Sequence, residues 1–523
     1  MWIGTRILTY AYAYIRANTD SSKLPSMTTI YLLAITYGIW VIFKQIGYYR
    51  RLPPGPWGIP YFGYLLFLKR MSPQAWYRKM AEQYGDIFSV KMGNNLVVCI
   101  GSAKLLKDLF YRSDSTGRPH TPLNELLGGH GIVLSEGDLW KKQRQFLHEK
   151  FRALGIKLWP NQRFEKFIIM EIQEFLTKLE ASSGKPVDPT DLLGRHIHNV
   201  ICQLMMSFRF EENDDKFAKF NEIVSRGMKL FGSVHIGEHI REYLLLPGKK
   251  AVLNEIKRNL QDVSKFHGDR LSERIQQRNG HSGFREPSDL LDHYLDHVEG
   301  SKKTDGVDDL FPDVDPNKQI IQVMNDLFSA GMETSLSTLS WSVVMMIREP
   351  KVAGKVRDEL RQVLPPGHLV TLEHRAKLPY TEAVLFETLR RVSVVPLGTT
   401  HVNTRPLKIG EYVIPAGTHI IPLLQKMGMD PETYPEPEKF KPERFLKDGQ
   451  LRVPDSFMQF GVGQRMCLGT QLARMELFLF FANLMNSFDF TLPYGVDEPE
   501  LQGVMGSMHA PAPFTVNFRK LES

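Results

Sequence analysis

"FGVGQRMCLG", residues Phe460–Gly469, holds one of the three cysteines in a chain of 523 residues, and three glycines surround it. Gly461, Gly463 and Gly469 allow backbone conformations and close approaches denied to other residues, so a flat ligand could lie directly against this main chain. An apolar helical pattern, "LARMELFLFFANLMNSF" (Leu472–Phe488), begins just after the cysteine. Cys467 therefore sits at a helix N-terminus, where the dipole and free N–H groups stabilise a thiolate. A buried thiol in a glycine-rich turn is the competing reading. Cys99, Cys202 and Cys467 are odd in number, far apart and without a CxxC pair. That argues against a disulfide framework and for a reducing environment.

One cysteine without companions cannot build a tetrahedral zinc or cluster site, yet it suffices as the single axial ligand of a haem iron. Other stretches bear on the choice. "ETLR" places Glu387 and Arg390 at i and i+3 on one helical face, where they can pair; taken alone this could be a surface salt bridge. "FKPERF" (Phe440–Phe445) supplies Arg444 from a loop. "DLFSAGMETS" (Asp326–Ser335) puts Gly331, Glu333 and Thr334 in the middle of a long apolar helix. Gly331 lowers helix propensity there, and a threonine hydroxyl can bond back to a preceding carbonyl, so the helix can bend and open a groove.

Working outward, "MTTIYLLAITYGIWVIF" (Met27–Phe43) is 17 residues without a charge. As a helix it spans roughly 26 Å, just enough to cross a bilayer. Lys44, Arg50 and Arg51 follow, with Tyr48 and Tyr49 at interface depth, which places the downstream chain in the cytosol. A cleaved signal peptide fits less well, because the apolar run starts late and no small-x-small site follows it. Arg6 and Arg16 precede the first acid, Asp20, so mitochondrial targeting stays an alternative. "RLPPGPWGIP" (Arg51–Pro60) cannot continue a helix and reads as a stiff hinge. The expected organisation is a leader (1–26), a transmembrane helix (27–43), a basic and proline-rich hinge (44–60) and one catalytic domain (61–523).

Within that domain "IFSVKMG" and "NLVVCIG" predict a hairpin with Cys99 on a strand. Helical periodicity covers 137–153, 160–182, 187–208, 251–278, 317–348 and 376–391, and short β patterns return near 400–425. "SKKTDGVDDLFPDVDP" (Ser301–Pro316) reads as a solvated loop. The net charge of +7, from 65 basic and 58 acidic residues, suits a membrane-adjacent surface, and no nucleic-acid motif accompanies it. The fold class is mainly α with a small β part.

The ExxR pair, the PERF loop and a filled FxxGxRxCxG pattern, in that order and spacing, resemble the cytochrome P-450 family of haem-thiolate monooxygenases, from about Pro53 to the C-terminus. The resemblance implies the P-450 fold, with a long central helix over haem b, the cysteine loop beneath it and an N-terminal transmembrane anchor. By this likeness Cys467 is the proximal iron ligand, and Glu387, Arg390 and Arg444 lock the core behind the haem. Phe460, Gly461, Gly469 and Ala330 would lie against the haem. Trp140, Arg144, Arg118, His401 and Arg465 match positions that serve its propionates. "AGMET" matches the family's oxygen-binding motif, in which Glu333 and Thr334 would deliver protons to dioxygen. Leu123, Phe231, Phe328, Ala330, Val395, Leu397 and Met508 occupy positions of an apolar pocket; core packing is the alternative for each.

The hinge and anchor resemble microsomal members of the endoplasmic reticulum, whose electrons come from NADPH through NADPH–cytochrome P-450 reductase, with cytochrome b5 as a further partner. Lys141 and Lys142 would suit the reductase's acidic surface. "NVICQLMMSFRF" (Asn199–Phe210), "VVPLGTTH" (Val394–His401) and "MCLGTQLARMELFLFFA" (Met466–Ala482) are most similar to arthropod members that hydroxylate ecdysteroids at carbon 26, then to those acting at carbon 25. Farnesoid or xenobiotic hydroxylation, an O2-independent haem-thiolate isomerase and a non-catalytic lipid binder are the other readings.

Overall fold

The computed structural model describes residues 50–523 apart from 57, 60, 69–72, 183, 212–214, 234, 280–285, 304–308, 506–507 and 522–523. Before residue 50 it describes only 29, 31–33, 35–37, 39–40 and 47. The chain divides into two units. The smaller comprises residues 1–54 with Leu407–Ile414.

The larger unit begins with α1 (Pro73–Tyr84), followed by β1 (Ile87–Met92) and β2 (Asn95–Ile100). These two strands are the expected hairpin, with Cys99 opposite Phe88 and fully buried. Then come α2 (Ala103–Phe110), α3 (Gly137–Ala153), α4 (Arg163–Ser182) and the short β3 (Pro186–Val187). An Asp–Pro step starts α5 (Pro189–Met206): the Asp188 carboxylate accepts the Thr190 N–H at 2.8 Å, and proline fits a first turn that needs no donor. Next are α6 (Asp215–Ser233), α7 (Pro247–Asn279) and α8 (Leu290–Lys303). A second Asp–Pro step, with Asp315 bonded to the Asn317 N–H at 2.9 Å, opens α9 (Pro316–Arg348). After α9 come α10 (Pro350–Val363) and α11 (Pro379–Val392).

The β part returns as β4 (His401–Val402), β5 (Leu407–Ile409), β6 (Tyr412–Ile414) and β7 (His419–Pro422). β7 lies parallel to β2 and antiparallel to β4, giving the sheet order β1-β2-β7-β4. β5 and β6 form the hairpin of the smaller unit, where the Val413 N–H meets the Arg51 carbonyl at 3.2 Å. The larger unit ends with α12 (Leu424–Gly428), the small hairpin of β8 (Leu446–Lys447) and β9 (Gln450–Leu451), α13 (Thr470–Ser487), and β10 (Phe488–Thr491) to β13 (Val516–Lys520). Between these last two strands β11 (Val504–Met505) and β12 (His509–Ala510) pair antiparallel.

The central helix is α9. It packs on α5, α7, α11 and α13, and from Ser337 to Met346 every residue is buried, so its sequence there is apolar or hydroxylated all round. α9 runs unbroken through Gly331. A Cβ there would come within 2.8 Å of Ile201 on α5, so the glycine lets two helices approach closely. The Ser301–Pro316 stretch is not wholly solvated either: Leu310 and Phe311 are buried, and the Gln143 amide donates to the Leu310 carbonyl. Helices α6, α8 and α10 add to those that the periodicity predicts.

Eight of the 17 residues of the expected membrane helix 27–43 lie outside those described. Its described residues are helical and leave Leu32, Leu33, Ile35 and Trp40 exposed. Among the described residues no helix is long and apolar enough to cross a membrane.

Burial sets an acid limit on this core. His198, His267 and His419 are each pushed down to about 4, in every case first by burial. An ordinary histidine titrates near 6.5, so below that pH the unfolded chain takes up protons that the folded chain refuses. Stability is then lost as pH falls from 6.5 towards 4, by about 1.4 kcal/mol per unit for each such histidine. The expected result is a melting temperature that falls steeply between pH 6.5 and 5, above the range in which ordinary carboxylates titrate. His267→Gln, which keeps an amide towards Asn325, should flatten that slope; an unchanged profile would remove His267 from the account.

Candidate active site

A cavity of about 340 Å³ opens between α9 and the Phe460–Gly469 loop. Cys467 lines it, with its side chain exposed to the cavity and its backbone N–H held by the Phe460 carbonyl at 2.9 Å. The protein mass around the thiol pushes its pKa up. The Gly469 N–H, the Thr470 hydroxyl and the Arg144 cation act in the opposite direction without overcoming burial. The helix-terminus argument for a ready thiolate is thus outweighed until a cation faces the sulfur.

The glycines divide the work. Gly461 and Gly469 line the cavity, and Gly461 has φ +73°. Gly463 does not: its φ is +76°, and a Cβ there would sit 2.0 Å from the Phe110 carbonyl oxygen, so this glycine lets α2 close on the loop.

Three guanidiniums gather at one side of the cavity. Arg118 donates to the Val133 and Thr400 carbonyls, Arg144 to the Met466 carbonyl at 2.6 Å, and Arg465 to the Thr116, Ile132 and Ser135 carbonyls. Arg465 also lies over the Trp140 ring, 3.9 Å from its centroid, a favourable cation–π placement. Burial, then repulsion from Arg118, pulls Arg465 down to about 8; burial, offset by Glu136, pulls Arg118 to about 10. His401 is held well below its usual value by burial and by Arg118, and its Nδ1 bonds the Ser115 carbonyl while its ring stacks on Phe110. Cations so placed call for a multiply charged anion. An apolar-walled cavity with one thiol, three guanidiniums, an indole and glycine backbone fits a flat, largely apolar macrocycle that carries carboxylates and a thiolate-seeking metal.

Behind this wall Arg390 bonds both oxygens of Glu387, at 2.7 and 2.8 Å, and Arg444 reaches the same carboxylate at 3.1 Å. Glu387 and Arg390 are fully buried, so the pair is no surface salt bridge. On α9 the cavity face comprises Asp326, Leu327, Ala330, Gly331, Thr334, Ser335 and Thr338, the repeat of one helical face. The Thr334 hydroxyl donates to the Ala330 carbonyl at 2.7 Å.

Several expected positions lie elsewhere. Phe328 faces away from the cavity and packs against His198, Phe220 and His267; Leu327 takes its place. Leu123 is buried with Leu244 and Ile256, and Leu397 packs on the core under the β1–β2 sheet. Glu333 is half-buried and does not line the cavity. The side chain of Phe231 lies outside those described. Val395, Ala330 and Met508 do line the cavity. His509, next to Met508, donates its N–H to the Val394 carbonyl, and its ring Nδ1 bonds the Val392 carbonyl. Lys141 and Lys142 already face Asp138 and Asp309, in exposed pairs that a docking surface could exchange.

Two acids in the wall were not anticipated. Asp326 accepts the Ile132 and Val133 N–H groups and the Gln322 amide; burial still raises it to about 6. Its spacing of four and eight residues from Ala330 and Thr334 was the available signal. Glu476, nine residues after the cysteine, is the other.

The family model for cytochrome P450 matches residues 53–518. The chain is 42% identical over 515 residues to cytochrome P450 18a1 of Drosophila melanogaster, covering 97% of this chain and 94% of that protein. It is 32% identical to cytochrome P450 2U1 of Mus musculus, with 94% of each covered, and 32% identical to cytochrome P450 306a1 of Drosophila melanogaster, with 90% and 89% covered.

Proposed function

The chain belongs to the cytochrome P450 family of haem-dependent monooxygenases, and on that premise we propose that Cys467 is the axial thiolate and that the substrate is a steroid, most specifically an ecdysteroid hydroxylated at carbon 26. One observation carries the ligand assignment: of three cysteines, Cys467 alone lines the cavity, whereas burial drives the Cys99 and Cys202 thiols far up.

Haem, when bound, supplies activation of dioxygen, with the thiolate pushing electron density that favours O–O cleavage. Arg118, Arg144 and Arg465, with Trp140 and His401, are the residues that would hold its carboxylates. Phe460, Gly461, Gly469 and Ala330 line the cavity where it would lie. Glu387, Arg390 and Arg444 tie α11 to Gly428 and to the segment 435–441. Leu204, Met205, Leu327, Val395 and Met508 exclude water and suit a lipophilic substrate. Thr334 holds a hydroxyl at the cavity face, with Glu333 as its acidic neighbour in sequence.

The ecdysteroid reading is supported by the likeness of Asn199–Phe210, Val394–His401 and Met466–Ala482 to arthropod enzymes of that activity, and by the higher identity to a Drosophila member than to the mammalian one. NADPH reaches such enzymes through a reductase; cytochrome b5 is a further candidate partner. A catalytic domain over 61–523, facing the cytosol from the endoplasmic reticulum membrane, follows from an anchor at 27–43. Exposed Ile59, Tyr61, Phe62, Leu66, Phe67, Leu245 and Leu246 are apolar surface consistent with that setting.

The test is spectral and then chemical. The dithionite-reduced protein under carbon monoxide should show the red-shifted Soret band of thiolate-ligated haem; well-folded protein without it would refute the assignment. Membranes holding the protein and its reductase, given ecdysone, 20-hydroxyecdysone, their precursors and a farnesoid, should yield a 26-oxygenated ecdysteroid by mass spectrometry. A 25-oxygenated or farnesoid product would replace the substrate and leave the chemistry standing.

A further inference from the structure

His509 joins four segments of the chain. Its N–H donates to the Val394 carbonyl at 2.8 Å, and its own carbonyl accepts the Trp341 indole N–H of α9 at 3.0 Å. Its ring belongs to a residue only 2% exposed and lies between two further backbone carbonyls: Nδ1 is 2.7 Å from that of Val392, and Nε2 is 3.0 Å from that of Gln502. A carbonyl oxygen only accepts, and a neutral imidazole has one N–H to give. A carbonyl at each nitrogen therefore requires both nitrogens to carry hydrogen, which makes the ring an imidazolium. A neutral ring would set a nitrogen lone pair against a carbonyl lone pair at hydrogen-bond distance.

A buried cation needs compensation, and here it comes from dipoles rather than from a carboxylate. Val392 ends α11, and the carbonyls of a last turn lack partners within the helix and carry the negative end of its dipole. The Trp341 ring lies 5.1 Å away, centroid to centroid, within reach of a cation–π attraction. The surrounding charges are committed elsewhere. On α9, which packs on β12, Arg348 faces Glu498 at 3.2 Å, and Glu333 is about 12 Å along the axis from Trp341. On α11 Arg390 holds Glu387, and Arg391 faces Glu438 at 3.0 Å. Asp497 and Glu500 are exposed. His509 is the one ionisable residue from Gly503 to Val516, and Val392 to Thr400 has none. The turn is shaped around this ring: Gly503 has φ +54°, and a Cβ on it would come 2.7 Å from Trp341 and 2.9 Å from the His509 Nε2.

Val394, Val395 and Met508 line the cavity. We propose that His509, as a buried imidazolium, is the positioning residue that fixes this part of the wall and so decides which carbon of the substrate is presented for oxidation. As pH rises the ring gives up one hydrogen to solvent. The Gln502 carbonyl, at the longer contact, then loses its donor, and the turn that carries Met508 loosens. The consequence for oxidation rests on the monooxygenase reading above; the charge of the ring stands apart from it.

With ¹⁵N-labelled histidine in the haem-loaded protein, NMR at about pH 7 should show a ring with both nitrogens protonated and slow to exchange, absent from His509→Gln. In reductase-coupled turnover of 20-hydroxyecdysone, raising pH from about 6.5 to about 9 should raise KM about tenfold at nearly constant kcat and broaden the set of hydroxylated products. His509→Gln, which has donors but no titratable proton, should give one KM and one product distribution across that range. Should it fail to fold, His509→Arg, a permanent cation with a planar fork of donors, should keep the parent's low-pH product distribution at every pH.

A His509 ring with a single protonated nitrogen at neutral pH, or an imidazolium whose loss leaves KM and product distribution unchanged, overturns the proposal. A parent protein lacking the thiolate–carbon monoxide band would instead overturn the reading of function and leave the NMR result standing, so the two failures are distinct.

Discussion

Replacing Cys467 by serine is expected to give a protein that melts like the parent yet shows no red-shifted carbon monoxide band and turns over ~10³-fold more slowly, about 4 kcal/mol in the barrier. The substitution changes one atom. The loop keeps its shape because that shape is set elsewhere: by the Cys467 N–H to the Phe460 carbonyl, by the Thr470 hydroxyl to the Cys467 carbonyl, and by Gly463 under Phe110. What changes is the donor. A serine hydroxyl does not ionise near neutral pH, and it lacks the soft, polarisable sulfur that pushes electron density towards iron. Burial already raises the Cys467 pKa, so even sulfur depends on the facing cation to remain a thiolate; oxygen has far less prospect of doing so. The checks are haem content, position of the reduced carbon monoxide band and the melting curve. A variant that keeps the parent's band would show that the axial ligand lies elsewhere.

How far the sequence carried the structure depends on what kind of spacing was being read. Glu387, Arg390, Arg444 and Cys467 stand in short local patterns, and local patterns translate directly into shared helix faces and turns. The cavity wall does not. Phe328 and Leu327 are neighbours in sequence, yet one helical step of 100° sends one into the core beside His267 and the other into the cavity. Their compositions are equally apolar, so only the placement of α5 and α7 against α9 decides between them. Leu123 and Leu397 were lost for the same reason, to clusters formed by distant segments. The missed acids are different: Asp326 and Glu476 interrupt apolar helices, and a charge with no solvated face is itself a signal of a lined cavity. Glu333 sits beside Thr334 in sequence but projects from another face of α9, so adjacency in a motif did not become adjacency at the site.

Arg390→Met is expected to leave little folded protein, because it strands a buried charge rather than removing one favourable contact. Glu387 accepts two bonds from Arg390, one from the Lys441 N–H and one from Arg444. Arg390 also donates to the carbonyls of Gly428, Pro437 and Lys439, while Arg444 donates to those of Pro435, Glu436 and Lys439. One planar group therefore ties α11 to the end of α12 and to the segment around Pro437 and Lys439. With methionine, the fully buried Glu387 keeps only Arg444 as a cation, and the Gly428 and Pro437 carbonyls lose a donor. Breaking such a pair costs about 3–5 kcal/mol, against a typical total stability of about 5–15 kcal/mol. Arg390→Lys should fall between parent and methionine variant, because an ammonium restores the charge without the forked geometry that reaches both oxygens and the loop carbonyls. Soluble yield, melting temperature and haem per folded chain measure the effect together. If the methionine variant melted within a degree or two of the parent, the buried triad would be replaceable packing.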